Sequence, residues 1–333
     1  MKNRKLLLSA LLITTAALAQ EAQAQKTYRI AMVVKSLGNG FFDAARDGGQ
    51  EAAKALGNVE LIYTGPTSPT AEGQIEVINN LIAQKVDAIV ISANDANALV
   101  PVLKKAMLRR IKVVSFDSGV AKAGRLMHLN PSNTALIGFK QIDMISKTIG
   151  GKGKIAVLSA TAQATNQNAW IAAMKDTLKK PEYKNLDLVD VVYGDDQSDK
   201  SYREALALFQ KYPDLKGIIA PTTVGISAAA KAVVDQKLVG KVFVSGLGLP
   251  SEMAGYVKAG SVDTFAIWNP IDLGYSAVYA AYQFVTGKAK GKSGEVINIG
   301  RMGKITLDKN TEAAMAEPFT FDKSNVDKFA KIF

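Results

Sequence analysis

Lys35, Asn94 and Asp117 each stand just past a run of apolar and β-branched residues: Tyr28–Val34, Asp87–Ala93 and Lys112–Phe116. The same placement recurs later. Asn166, Gln167 and Trp170 follow Lys154–Ser159, and Pro221, Thr222 and Thr223 follow Gly217–Ala220. Leu247 follows Val242–Ser245, and Trp268 with Asn269 ends the run that begins at Val262. A carboxylate accepts hydrogen bonds from two neighbouring hydroxyls, a lysine donates to oxygens, and a carboxamide does both. Phe41, Phe42, Trp170 and Trp268 add flat apolar faces that suit the C–H face of a hydroxylated ring. A dry, closed cleft strengthens every such bond. The set therefore suits recognition of a small polyhydroxylated ring.

Bond-breaking chemistry lacks its parts. There is no cysteine, and the one histidine, His128, sits in a short strand and is read as structural. No G-x-S-x-G is present, no carboxylate pair suits glycoside hydrolysis, and no metal site is expected. A dinucleotide loop fails because Asp43 stands where G-x-G-x-x-G needs its last glycine. Gly150–Lys154 precedes a strand and reads as a turn, so no cofactor is expected. Some assignments stay open. Phe41 and Phe42 fit either the ligand face or the packing of the first helix, and Trp268 fits either the ligand face or packing between domains. Asp95 reads as an N-cap.

The elements that must position these groups alternate. Strands are expected at Tyr28–Val34, Val59–Tyr63, Asp87–Ala93 and Lys112–Phe116, with helices at Phe42–Leu56, Ala71–Gln84 and Ala98–Arg109. The second half repeats this with strands at Lys154–Ser159, Leu186–Tyr193, Gly217–Ala220 and Val242–Ser245, separated by helices. Apolar runs without polar alternation mean parallel strands covered on both faces. The fold class is α/β, with two similar doubly wound parallel-sheet domains. Ligands in such sheets sit beyond the carboxyl ends of the strands. The tail is expected to cross between domains and form a multi-strand hinge around a closing cleft. One lobe is expected from 25–128 plus 269–296, the other from 129–268 plus 297–333.

Of the 333 residues, 48% are hydrophobic and 21% charged, an ordinary globular composition long enough for about two domains. Residues 1–24 read as a signal peptide: Lys2, Arg4 and Lys5, then the uncharged Leu6–Leu18, then Ala22-Gln23-Ala24. Export with no cysteine for lipid attachment points to a periplasmic protein. Removing three cations and one anion lowers the formal charge from +11 to about +9. The lysines are spread and no helix-turn-helix precedes the first strand, so no nucleic-acid partner is expected.

Several segments carry a family resemblance: VVKSLGNGFF, IYTGPT, TNQNAW, YGDDQSDKSYREA, APTTVG, GLGLPSEMAG and FAIWNPIDLGYSA. Through them the chain resembles periplasmic sugar-binding proteins of ABC importers, of the ribose-binding type, and within these most resembles the rhamnose-binding subgroup. The resemblance implies a type I periplasmic binding fold, a monomer, L-rhamnose or a close monosaccharide as ligand, and an ABC permease in the inner membrane as partner. It implies no catalysis. A sister subgroup binds autoinducer-2, and its pattern matches Lys35, Asp117, Gln167 and Pro221. This sequence departs from it at Asn166, where that subgroup has Asp, and at Thr222-Thr223, where it has Asp-Ala. A lost acceptor suits a deoxyhexose. A ligand-responsive repressor body shares the two-domain plan but needs a DNA-binding helix pair in place of the export segment.

Overall fold

Ile30, Met32 and Val34 turn to one face of their strand and Ala31 and Val33 to the other, and all five are buried. That double burial is why the run is continuously apolar. The computed structural model describes residues 26–333; the expected signal peptide lies outside the described residues. The first lobe begins with β1 (Tyr28–Val33), α1 (Gly40–Leu56), β2 (Val59–Thr64), α2 (Ala71–Ala83), β3 (Ala88–Ile91), α3 (Val100–Leu108), β4 (Lys112–Phe116) and β5 (Met127–Asn130). The second lobe holds α4 (Thr134–Thr148), β6 (Gly153–Ser159), α5 (Thr165–Leu178), β7 (Leu186–Tyr193), α6 (Ser198–Lys211), β8 (Leu215–Ala220), α7 (Thr223–Asp235), β9 (Phe243–Gly246), α8 (Pro250–Ala259) and β10 (Phe265–Ile267). The tail adds α9 (Pro270–Val285), β11 (Val296–Asn298), β12 (Lys304–Thr306), β13 (Glu312–Ala314), β14 (Phe319–Phe321) and α10 (Val326–Phe329).

The first sheet is parallel throughout, in the order β13-β5-β4-β3-β1-β2. The second runs β7-β6-β8-β9, also parallel, and β10 continues it through bridges at Val244–Val262 and Leu247–Ala266. In each sheet the order reverses beside the first strand, which opens a crevice at the carboxyl ends. The chain crosses between lobes after β5, after β10 and after β13.

Two boundary expectations need correction. The segment 297–333 does not belong wholly to the second lobe. β13 pairs with β5, Glu312 opposite His128 and Ala314 opposite Asn130, so the tail through 314 completes the first sheet. Only β14, paired with β10, and α10, packed on α8, return to the second lobe. The reason is Arg125. Its buried guanidinium donates to the Thr311 carbonyl at 3.2 Å and pairs with Glu312, which fixes this segment to the first lobe. The first boundary likewise moves from 128 to the end of β5 at Asn130. In addition, α8 lies where no helix was expected, although Pro250 in its first turn and Gly260 at its left-handed C-cap mark its ends.

The first lobe depends on a close crossing of α1 and α9. A Cβ at Gly48 would lie 1.8 Å from the Ile271 carbonyl oxygen, and one at Gly274 would lie 1.8 Å from that of Ala45. Backbone meets backbone at both points, so no side-chain rotation relieves a methyl group. Gly274→Ala is expected to lower stability by at least about 1–3 kcal/mol. A urea midpoint shifted down at unchanged slope checks this.

His128 has a structural role in this lobe. The Asn130 amide nitrogen donates to Glu312 at 3.3 Å, which turns the Asn130 oxygen toward His128 Nε2 at 3.0 Å. Nε2 therefore carries the proton, and Nδ1 accepts from the Ser115 hydroxyl at 3.0 Å. Burial, with Arg125 adding to it, pushes the imidazole down to about 3 from 6.5. The unfolded chain takes up this proton below about 6.5 while the fold refuses it until about 3. Stability therefore falls as pH drops through that window, by about 1.4 kcal/mol per unit. Urea midpoints at pH 7 and pH 5 should differ less in His128→Gln than in the parent protein.

Candidate functional site

Each lobe offers the ends of its strands to the other. Lys35 follows β1 and Asp117 follows β4; from the opposite lobe come the first turn of α5, the loops after β7, β8 and β9, and the end of β10. The space between is a small cleft of about 380 Å³ including its open mouth. Twelve of the fourteen sequence-predicted residues line it: Lys35, Phe41, Phe42, Asp117, Asn166, Gln167, Trp170, Pro221, Thr222, Thr223, Leu247 and Trp268.

Asn166 joins the two sides. Its amide nitrogen donates to Asp117 Oδ1 at 2.9 Å, and its oxygen accepts from Lys35 Nζ at 3.3 Å and from the Gln167 backbone N–H at 2.8 Å. α5 starts at Thr165, which puts Asn166 and Gln167 in its first turn, where backbone N–H groups still lack helical partners. The oxygen of Gln167 is occupied by the Ser159 hydroxyl at 2.8 Å and the Ala160 N–H at 2.7 Å. That leaves its amide hydrogens as donors for the cavity.

Asp117 takes a left-handed backbone conformation, φ 56°, that swings its carboxylate back over the sheet end. Aspartate tolerates this better than most residues. Burial pushes its carboxyl up; the Lys35 ammonium and the bonds from Ser92 (2.8 Å) and Asn166 pull the other way. The lysine is 4% exposed and has one acceptor, Asn166, among the described residues, which leaves two of its three hydrogens to point into the cavity.

One wall is aromatic. Trp170 and Trp268 lie with ring centroids 5.6 Å apart, and Phe41 meets Trp268 edge-on at 6.2 Å and Phe42 edge-on at 5.2 Å. The alternatives left open for these residues are not exclusive: each ring packs in the core and also lines the cavity. Trp268 Nε1 is buried without a hydrogen-bond partner among the described residues.

Two residues belong elsewhere. Asn94 does not line the cavity. Its side chain donates to the carbonyls of Lys35 at 2.9 Å and Thr70 at 3.1 Å, and its N–H donates to Gln74 Oε1. It thus holds the loop that presents Lys35. Asn269 caps α9, accepting from the Ile271 N–H and donating to Asp272, both at 2.9 Å. Conversely, Asn39, Asp196 and Ile267 line the cavity and were not expected there. Asn39 is the N-cap of α1 and Ile267 the last residue of β10. Asp196 follows β7 and so obeys the strand-end rule that located the others. Among the described residues no group of His, Asp and Glu is arranged to hold a metal ion.

The chain matches the family described as periplasmic binding protein domain over residues 30–289. A solved ABC transporter solute-binding protein from Clostridium phytofermentas, with L-rhamnose bound, is 40% identical, with a TM-score of 0.89 over 92% of this chain and 99% of its own. A solved sugar ABC transporter protein from Actinomyces odontolyticus is also 40% identical, with a TM-score of 0.73 over 91% of this chain and 97% of its own. The D-ribose/D-allose-binding protein of Pseudomonas aeruginosa is 29% identical over 73% of this chain and 78% of its own. With a match that runs from β1 through the second lobe and back into the first, this chain belongs to the periplasmic binding protein family.

Proposed function

We propose that this protein is the periplasmic substrate-binding component of an ABC sugar importer and that its ligand is L-rhamnose or a close monosaccharide. The observation that carries the reading is the bridge of Asn166 to Asp117 and Lys35, donors and acceptors from both lobes set around one small cavity. A sugar touches both lobes only when they are closed, so its binding energy drives closure. The closed form then docks on the permease, and the energy for transport comes from an ATPase outside this chain. The rings of Phe41, Trp170 and Trp268 offer an apolar wall for the methyl group of a 6-deoxyhexose, where a hydroxymethyl group would lose its hydrogen bonds. The 40% identical relative with L-rhamnose bound supports the same choice. No covalent step is part of this reading.

Both tryptophans line the cavity, so their emission reports on its contents. L-rhamnose is expected to change the fluorescence, release heat in calorimetry and shrink the radius of gyration. D-ribose, D-allose and D-glucose are expected to bind more weakly. An emission and a heat signal that ignore L-rhamnose would refute the ligand assignment.

Asp117→Asn keeps the left-handed backbone but loses the charge. A hydrogen bond to a charged group contributes about 1.5–3 kcal/mol, so affinity should fall by roughly 10- to 150-fold with the melting temperature nearly unchanged. An affinity equal to that of the parent protein removes Asp117 from the site.

A further inference from the structure

Three ionisable residues line the cavity, and their signs do not balance. Lys35 and Asp117 both come from the first lobe; Asp196 comes from the second. Asp196 sits between β7 and α6, after Asp195, and both have left-handed backbones, φ 55° and 52°. The two carboxylates have different partners. Asp195 pairs with Lys200. Asp196 has no ion-pair partner among the described residues. One of its oxygens, Oδ1, accepts from the Thr222 hydroxyl; the other has no donor among the described residues. Its charge also reaches Asp117, whose carboxyl it pushes up across the cleft. Two like charges therefore face each other across the cleft, with one ammonium, on the Asp117 side, to offset them.

This arrangement makes demands on the guest. A hydroxyl placed at the free oxygen of Asp196 donates a charge-assisted bond and shields the two carboxylates from each other. A guest carboxylate adds a third negative charge to a site with one cation, and Lys35 is already shared with Asp117 and Asn166. Discrimination of this kind works by repelling the wrong ligand as much as by attracting the right one.

We infer that Asp196 is a specificity-determining residue that accepts a hydrogen bond from one particular hydroxyl of a neutral sugar and bars sugar acids from the cleft. The inference rests on the sugar-binding reading above and adds the class of ligand that the site refuses. Thr222 acts as a positioning residue, because its hydroxyl orients the Asp196 carboxylate.

The test is calorimetry with L-rhamnose, its three monodeoxy analogues at C2, C3 and C4, and L-rhamnonate. The proteins are the parent chain, Asp196→Asn and Thr222→Val. Asparagine keeps the left-handed backbone accessible, and melting temperatures check that each variant folds. The parent protein should bind L-rhamnose and not L-rhamnonate. Asp196→Asn should lose at least tenfold on L-rhamnose but nothing further on the one deoxy analogue that lacks the partnered hydroxyl. Its affinity for L-rhamnonate relative to L-rhamnose should rise at least tenfold. Thr222→Val, which keeps the carboxylate, should weaken L-rhamnose binding and still exclude the acid. Equal losses of Asp196→Asn on every sugar, with the ratio of acid to neutral sugar unmoved, overturn the role of Asp196 and leave the sugar-binding reading standing. A parent protein that binds no neutral sugar of a broad panel overturns that reading and the inference with it.

Discussion

The amide of Asn166 is the interaction on which the rest of this structure depends. One side chain uses its nitrogen to meet a carboxylate of the other lobe and its oxygen to meet an ammonium that also belongs to that other lobe. A carboxylate at this position would pair with Lys35 but repel Asp117, whereas a carboxamide satisfies both. Such a junction functions only if each member arrives with its orientation already set. The surrounding framework does this. Gln74 and Asn94 tie together the loops after β1 and β3, Ser92 holds one oxygen of Asp117, and Ser159 with Ala160 holds Gln167. Most of these groups are buried, and the low dielectric that makes their bonds strong also makes each missing partner costly.

Much of the fold was legible because both faces of the sheets are covered. Double burial turns whole strands apolar, and Lys112–Phe116 and Leu186–Tyr193 appear in the structure at the boundaries expected from the sequence. Helix starts were less legible. α5 begins at Thr165, ahead of the expected Asn168; its first turn, Thr165-Asn166-Gln167-Asn168, is polar throughout, and Asn166 and Gln167 in it face the cleft. The residues that blur the helical period are the ones that line the cavity. β13 was invisible for another reason. Glu312-Ala313-Ala314 has no strand pattern of its own and is held by Arg125, about 190 positions earlier, and by pairing with β5.

The site followed from a rule of place: residues just past a strand in a doubly wound sheet face the crevice. The rule gathers residues from seven separate stretches of chain around one cavity. It cannot separate a side chain that points into the crevice from one that turns back to brace the loop. That is why Asn94 and Asn269, polar and correctly placed along the chain, serve as a loop tie and a helix cap. Asp196 shows the reverse case. Gly194-Asp195-Asp196 reads as an ordinary polar turn, and nothing in its composition says that one aspartate pairs with Lys200 while its neighbour lines the cavity.

The three crossings also set an order of assembly. The second sheet draws β6 to β9 from one unbroken stretch, 153–246, and can form its core as soon as that stretch is available. The first sheet starts earlier in the chain and finishes later. One of its faces needs α9, and its outer edge needs β13. A polypeptide emerging from its amino end therefore carries Ile30, Met32 and Val90 under incomplete cover until some 285 residues have appeared. Apolar surface left open that long invites association with other chains. Through nearly all of synthesis, then, the earliest-made lobe is the one with most need of a chaperone.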